Sequence, residues 1–206
     1  LIVDLDVEYV NFDFPAEPFL DPVRTFSLQR PVEHAVEAIF SETGLRPLHA
    51  VTGRGHHFLW KVSRQSKAFR RLARIGKIPV HMKRLYQKKR PPRGKSVGLA
   101  TAEAFAGMGL VMEYMAHRIL GQAHPLCTIP VLPTAVRVDT QERGSEMVSV
   151  DISEYGDPLY TRVIRIPFSL YLKPWCRMDV MPADVATRVP PMVMVPLGGL
   201  DVSQGI

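Results

Sequence analysis

Residues 1–10 read Leu-Ile-Val-Asp-Leu-Asp-Val-Glu-Tyr-Val, and inward and outward positions alternate along the stretch. An alternation with a period of two predicts a β-strand with one buried face. Side chains at positions i and i+2 of a strand point the same way and lie about 7 Å apart, so Asp4 and Asp6 share a face. Two such carboxylates can hold one or two hard divalent cations. The alternative is an exposed edge strand whose acids are simply solvated.

The composition excludes several classes of protein. Hydrophobic residues make up 46% of the 206 residues and charged residues 22%, values typical of a folded globular chain. Cys127 and Cys176 stand far apart and form no CxxC pair, which argues against a disulfide framework or a cysteine zinc site and favours a reducing, cytoplasmic setting. No apolar run approaches the roughly 18 residues of a membrane span, and no signal peptide opens the chain. We therefore expect a soluble protein with no membrane partner.

The charge balance favours a polyanionic partner. The net charge is +6, and a run of basic residues lies between the two halves of the chain. These residues are Lys67, Arg70, Arg71, Arg74, Lys77, Lys83, Arg84, Lys88, Lys89, Arg90, Arg93 and Lys95. One interpretation is a solvated helix face followed by a loop, and the other is a surface that binds the phosphates of a nucleic-acid template.

The remaining pattern predicts an α+β fold with a largely antiparallel sheet flanked by helices. We expect one domain over residues 1–180, followed by a Pro-rich tail over residues 181–206. The chain opens without Met in mid-strand, so we also expect a fragment of a longer protein. The prolines of residues 15–31 predict a loop. Helices are predicted over 31–43, 66–75 and 100–121, a strand hairpin over 46–51 and 57–62, paired strands over 129–138 and 147–152, and further strands over 160–172, interrupted at Pro167.

The turn of the first hairpin has the composition of an anion-binding loop. Residues 52–57 read Thr-Gly-Arg-Gly-His-His. The glycines permit the positive φ of a tight turn and expose backbone N–H groups, while Thr52, Arg54 and a histidine can complete a cradle for a triphosphate. The alternation of the following strand favours His57 over His56 as the histidine that faces the site. An ordinary hairpin with an incidental histidine pair is the alternative.

Two later segments carry further polar side chains. Asp151 follows an apolar strand and can act as a third metal-binding carboxylate, although a turn-capping role is the commoner use of such a residue. In residues 162–174, Arg165, Ser169, Tyr171 and Lys173 fall at odd positions of an extended segment, so one face can present cations and hydroxyls to phosphate. A basic edge strand that discourages aggregation is the alternative.

In order and spacing, these four motifs resemble those of the archaeo-eukaryotic primase superfamily, the primase-polymerases. That family has a strand ending in DxD or DxE, an S-G-x-G-x-H-like hairpin, a later strand with an acid, and an R-x-P-x-S-x-x-x-K-like hairpin. The resemblance covers residues 1 to about 174. It implies an RRM-like catalytic sheet and a template-directed nucleotidyltransferase, a DNA primase or polymerase that extends or starts a primer.

The resemblance also implies the roles of individual residues. Asp4, Asp6 and Asp151 would bind Mg²⁺ or Mn²⁺, and Thr52 and His57 would bind the triphosphate. Further nucleotide contacts would come from Arg165, Ser169 and Lys173, with Arg54 added from the hairpin's own chemistry. The implied partners are nucleoside triphosphates, a single-stranded DNA template or primer-template, and a helicase or other replication domain.

The sequence departs from the family pattern at three positions. Thr52 stands where the family often has Ser, which keeps the hydroxyl, whereas Phe168 replaces a frequent glycine and Tyr171 a frequent histidine. The last two changes favour one alternative, a weak or inactive RRM-like nucleic-acid-binding module. A metal-dependent phosphohydrolase is the other, because paired carboxylates also serve hydrolysis.

Overall fold

The computed structural model describes residues 1–88, 97–156, 164–172, 174–177 and 179–198. In these residues the fold is α+β, with a mixed, mostly antiparallel sheet flanked by helices. The six strands of the main sheet lie in the order β4-β5-β1-β3-β2-β8. Their bounds are β1 Ile2–Asn11, β2 Leu48–Val51, β3 Gly55–Lys61, β4 Val131–Leu132, β5 Glu146–Asp151 and β8 Val195–Pro196, and β6 Leu170–Tyr171 and β7 Met192–Val193 form a separate pair.

The helices are α1 Glu17–Leu20, α2 Pro22–Thr43, α3 Lys67–Ile75, α4 Val80–Lys88, α5 Leu99–Ala123 and α6 Ala183–Ala186. Helices α2 and α5 pack on one face of the sheet, because the odd-numbered apolar side chains of β1 point toward them. The predicted apolar stripe of α5 is confirmed: Phe105, Met108, Met112, Met115 and Ile119 are buried. None of the helices in the described part of the chain has the length and hydropathy of a bilayer span.

β1 is the strand that positions the site. It pairs antiparallel with β3 on one side and with β5 on the other, so both of its edges are hydrogen-bonded. The predicted strand at residues 1–10 is confirmed, and the alternative of an edge strand is wrong. Even-numbered β1 side chains, including Asp4 and Asp6, lie on the sheet face opposite α2 and α5.

Three sequence predictions of secondary structure were wrong. The loop predicted through residue 31 is mostly helix α2, which starts nine residues earlier than expected. Pro22 occupies the first turn of the helix, where no amide donor is needed. Asp21 caps the helix by accepting a hydrogen bond from the Arg24 amide (3.2 Å). The helix continues through Pro31. Residues 129–138 do not pair as a hairpin with 147–152, because β1 occupies one edge of β5 and only Val131–Leu132 reaches the other, in parallel.

The third difference is in the predicted strands over 160–172. In the described part of that segment only Leu170–Tyr171 is a strand, and residues 160–163 lie outside the described residues. Within residues 181–206, where the sequence predicts a tail, β8 pairs with β2 and Met194 packs against Ala50 and Leu59. The described part of this segment therefore belongs to the packed fold.

A buried cluster of charged groups ties β1, α2 and β5 together. Arg24 forms two hydrogen bonds to the Glu146 carboxylate, at 2.8 and 2.9 Å, and one to Glu17 at 3.2 Å. The Tyr9 hydroxyl lies 2.6 Å from Glu146 and 2.5 Å from Glu17. Burial alone would raise the pKa of Glu146, but the Arg24 guanidinium and the Tyr9 hydroxyl lower it overall.

Candidate functional site

The site is built on a cross-strand row at the middle of the sheet. Asp6 on β1 is paired directly with His57 on β3 and, on the other side, with Asp151 on β5. Residues paired in an antiparallel sheet project to the same face, so these three side chains stand in line. Asp4, two residues before Asp6, projects to that face as well.

Asp4 is held on both its side chain and its backbone. Its Oδ2 lies 2.9 Å from Nδ1 of His57, and only 4% of the residue is exposed. The pairing of β1 with β5 ends at Asp6. At Asp4, the hydroxyl of Tyr155 forms the backbone hydrogen bonds instead: it accepts from the Asp4 amide (3.0 Å) and donates to the Asp4 carbonyl (2.7 Å). The position of Asp4 is thus fixed by Tyr155 on the β5 side and by pairing with Leu59 of β3 on the other side.

Acidic and basic side chains lie next to one another in this row, and Asp6 and His57 each change the pKa of the other. Burial raises the pKa of Asp6 to about 7, the His57 charge opposes this, and the charges of Glu8 and Asp4 add to it. Burial alone would lower the pKa of His57, but the charges of Asp6 and Asp4 and the hydrogen bond to Asp4 raise it to about 9. These charges favour the imidazolium form of His57, whose ring lies between the carboxylates of Asp4 and Asp6.

Two arginines border the row. Arg54 forms an ion pair with Glu8 at 2.6 Å. Arg165 Nη2 lies 3.3 Å from Nε2 of His57, and its guanidinium stacks over the ring of Tyr171 at 3.9 Å from the centroid. Arg54, Arg165 and His57 thus all lie at the site.

These residues line a cleft of about 420 Å³, a size typical of ligand pockets. Its walls also include Glu154 and the apolar side chains of Ile164, Leu170 and Leu172. Two buried polar atoms in the cleft residues have no hydrogen-bond partner among the described residues, Oδ1 of Asp4 and Nη1 of Arg165. An acceptor and a donor are therefore available in the same cleft.

Asp151 caps a turn and also lines the cleft. Its Oδ1 accepts from the backbone amide of Ser153 at 2.8 Å, which caps the turn that follows β5. Its side chain also lines the cleft beside Asp6. The turn cap fixes the carboxylate in the position that the cleft uses.

The structure does not bring every predicted residue to the cleft. Thr52 is buried at the hairpin turn, where its hydroxyl donates to the carbonyl of Gly55 (3.4 Å), and it lines a separate small pocket beside Phe26. Ser169 Oγ is buried without a partner among the described residues, but Ser169 is not part of the cleft lining. Lys173 and basic residues 89–96 lie outside the described residues.

The glycines of the hairpin serve packing and not a left-handed turn. The positive φ expected at Gly53 and Gly55 is absent. Gly55 is paired directly with Glu8 of β1 at the start of β3, so a Cβ on Gly55 would lie 2.0 Å from the carbonyl oxygen of Val7. A Cβ on Gly53 would lie 2.7 Å from the ring of Phe19.

Sequence reasoning missed Glu8 and Tyr155 as parts of the site. Glu8 follows the same alternation as Asp4 and Asp6, so the period of two contained a signal for it. Tyr155 lies 151 residues from Asp4 in the chain, and no local pattern indicates that contact. Phe168, noted as a departure from a frequent glycine, has a φ of 65°, the left-handed conformation that glycine favours.

A larger groove, of about 560 Å³, is lined by Phe14, Leu20 and Val185 with charged residues at its rim. It contains none of the predicted site residues. Its Arg143 is already paired with Glu17 (3.2 Å) and Asp21 (2.9 Å). The cleft lined by Asp4, Asp6 and Asp151, hereafter the acidic cleft, is therefore the better candidate for a catalytic site.

Comparison with known proteins adds no relative. No family model matches the chain, and no significant match is found among curated proteins or solved structures. Function is therefore inferred from the side chains of the cleft.

Proposed function

We propose that the chain is the catalytic core of a template-directed nucleotidyltransferase of the primase-polymerase type, with an RRM-like catalytic sheet. It would add nucleoside triphosphates to a primer, or start one, on single-stranded DNA. One observation carries the proposal: Asp4, Asp6 and Asp151 share a cleft with the cationic groups of His57, Arg54 and Arg165. Carboxylates that can bind a metal ion, next to cations that can bind phosphate, suit a polyphosphate substrate that carries a metal ion.

The donor set fits Mg²⁺ or Mn²⁺. Both ions prefer carboxylate oxygens, and the cleft offers them from Asp4, Asp6 and Asp151. Oδ1 of Asp4 is buried without a partner among the described residues, and the raised pKa of Asp6 indicates a carboxylate in need of a compensating charge. When bound, the metal would lower the pKa of the attacking 3′-hydroxyl and neutralise charge on the triphosphate.

The chain's own cations would orient the triphosphate. Nη2 of Arg165 lies 3.3 Å from Nε2 of His57, so the two side chains can contact one anion in the cleft. Phosphate oxygens supply that anion and can accept from Nη1 of Arg165, which has no partner among the described residues. Asp4 holds the His57 ring in place through Nδ1. Arg54, paired with Glu8, adds positive potential at the other edge.

A nucleic-acid template has a candidate surface in α3. Lys67, Arg70, Arg71 and Arg74 are exposed there, while Phe69 and Leu72 anchor the helix in the core. Such a surface binds phosphates without reading sequence. A helicase or another replication domain stays a proposed partner.

Isothermal calorimetry of a non-hydrolysable nucleoside triphosphate tests the proposal, with Mn²⁺ and without it. We expect metal-dependent binding that is lost in Asp4→Asn and Asp6→Asn and retained in Asp139→Asn, an exposed control acid. No metal-dependent binding would contradict the proposal and favour a pure nucleic-acid-binding module. Binding accompanied by hydrolysis of the natural triphosphate, without polymer growth, would favour a phosphohydrolase.

A further inference from the structure

A second polar cluster lies on the opposite face of the sheet from the acidic cleft. His56 follows Gly55 on β3 and His49 lies on β2, and both rings point toward α2 because their strand neighbours His57 and Ala50 point to the cleft side. Glu33 of α2 faces them. One ligand atom from each of Glu33, His49 and His56 lies within 4.8 Å of the other two.

We propose that Glu33, His49 and His56 form a binding site for a transition-metal ion of the Zn²⁺ class, separate from the acidic cleft. Two imidazoles and one carboxylate are a donor set that suits Zn²⁺ or Co²⁺, whereas Mg²⁺ takes oxygen ligands. Three protein ligands leave one coordination position for water. The ion would link α2 to the β2–β3 hairpin.

The distance between the two rings fits a shared ion. Nε2 of His49 and Nδ1 of His56 are 2.9 Å apart, a contact that one proton bridges in the metal-free chain. Zn–N bonds of about 2.0–2.1 Å in tetrahedral geometry place two ligand nitrogens roughly 3.3 Å apart. To share an ion, the two nitrogens have to separate by a few tenths of an ångström, and the rings have to turn so that both lone pairs point at the ion.

The surroundings hold the rings in position. His49 stacks on Phe58, with ring centroids 4.2 Å apart and planes 22° apart, and His56 meets the edge of Phe26 at 5.2 Å. His56 is fully buried, and its Nε2 has no hydrogen-bond partner among the described residues. Glu33 is only 8% exposed, so its carboxylate approaches the two rings inside the fold. Apolar walls of this kind are common around metal sites and exclude competing water.

Co²⁺ titration tests the proposal, because the ion absorbs visible light intensely when its coordination is tetrahedral. The starting protein carries Asp4→Asn and Asp6→Asn, which removes two of the carboxylates that could bind Co²⁺ in the acidic cleft. We expect one equivalent of Co²⁺ with tetrahedral absorption, displaced by Zn²⁺ and not by Mg²⁺. Adding Glu33→Gln or His49→Gln should weaken the apparent affinity at least about tenfold.

The matched control is His34→Gln, which removes an exposed imidazole next to Glu33 on the same helix. It should leave the Co²⁺ affinity unchanged. Circular dichroism selects variants that fold, and Glu33→Gln, nearly equal in shape, provides the test if His49→Gln does not fold. Absorption that is absent in the starting protein, or an affinity that is equal in the folded Glu33→Gln variant, would overturn the proposal.

Discussion

Asp6 and Asp151 are paired directly across β1 and β5, so two carboxylates stand side by side on one face of the central sheet. Like charges directly opposite one another destabilise an antiparallel pair. Nothing in the packing of the core requires them, because the core lies on the other face. In the function proposed above, this pair binds the metal ion.

Replacing Asp151 with Asn should remove the stabilisation that a bound metal ion provides. Asn keeps an oxygen for the Ser153 amide, so the turn cap survives while the negative charge is lost. Urea titration at pH 7.5 measures the free energy of unfolding with Mn²⁺ and with EDTA. Mn²⁺ should stabilise the wild type and leave Asp151→Asn unchanged. An equal response of both proteins to Mn²⁺ would exclude Asp151 as a ligand.

The hairpin glycine nearest β1 should tolerate no side chain. A Cβ on Gly55 would lie 2.0 Å from the Val7 carbonyl oxygen and 2.7 Å from Cα of Glu8, both backbone atoms that cannot move without breaking the sheet. We expect Gly55→Ala to lower the free energy of unfolding by more than about 3 kcal/mol, or to prevent folding.

Gly121 in α5 is the matched control, because a Cβ there meets no atom within 4 Å. Gly121→Ala should stabilise the protein by about 0.5–1 kcal/mol, since alanine is the better helix former. Thermal unfolding measures both changes. A Gly55→Ala protein as stable as the wild type would show that the hairpin does not press against β1 as described.

The buried Arg24–Glu146 pair should govern part of the acid sensitivity. The folded-state pKa of Glu146 lies below its unfolded value of 4.5, so the pair contributes stability above pH 4.5 that is lost as pH falls through the folded-state pKa. Glu146→Gln should lower the free energy of unfolding at pH 7 by about 1.5–3 kcal/mol, because Arg24 loses its two charged hydrogen bonds to Glu146 and keeps Glu17 as its buried charged partner.

Urea midpoints between pH 7 and pH 3 check this. The decline with acid should be shallower in Glu146→Gln than in the wild type. Glu142→Gln serves as control, since Glu142 is exposed and lies 3.8 Å from Arg24, and its profile should follow the wild type. Parallel profiles for Glu146→Gln and the wild type would mean that Glu146 is not the titrating group.

Phe168 is strained, and glycine should relieve the strain. The residue follows Pro167 in a turn closed by a hydrogen bond from the Ser169 amide to the Ile166 carbonyl (3.1 Å), and its φ is 65°. Positive φ at the third position is that of a type II turn, where glycine is preferred. Because 72% of Phe168 is exposed, its loss removes little packing. Phe168→Gly should raise the free energy of unfolding by about 1 kcal/mol, and Phe168→Ala, which keeps a Cβ, should not. Equal effects of the two would contradict the strain.

The parts of the fold that follow from local periodicity could be predicted from the sequence. The alternation in β1 placed Asp4 and Asp6 on one face, and the apolar stripe of α5 predicted a helix within two residues of its ends. The start of α2 was missed because prolines usually indicate a break in a helix. Pro22 lies in the first turn, where no amide donor is needed, and Pro31 lies inside the helix, which continues through it.

The remaining features depend on contacts between distant residues. β5 pairs with β1 on one edge, and β1 precedes it in the chain by over a hundred residues. No pattern within residues 129–152 indicates that pairing or the parallel pairing with β4 on the other edge. The same holds for Tyr155 at Asp4 and for Arg24 at Glu146. Glu33, His49 and His56 come from a helix and two strands, so their meeting is visible only in the folded chain.

Nucleotide incorporation on primed and unprimed single-stranded DNA, with Mn²⁺ and labelled nucleoside triphosphates, tests the central claim most directly. We predict template-dependent product with the wild type and with Asp139→Asn, and a loss of at least about 100-fold in Asp4→Ala and Asp6→Ala. Incorporation that is unchanged in both of those variants, or product that does not depend on the template, would contradict the assigned site and the proposed activity.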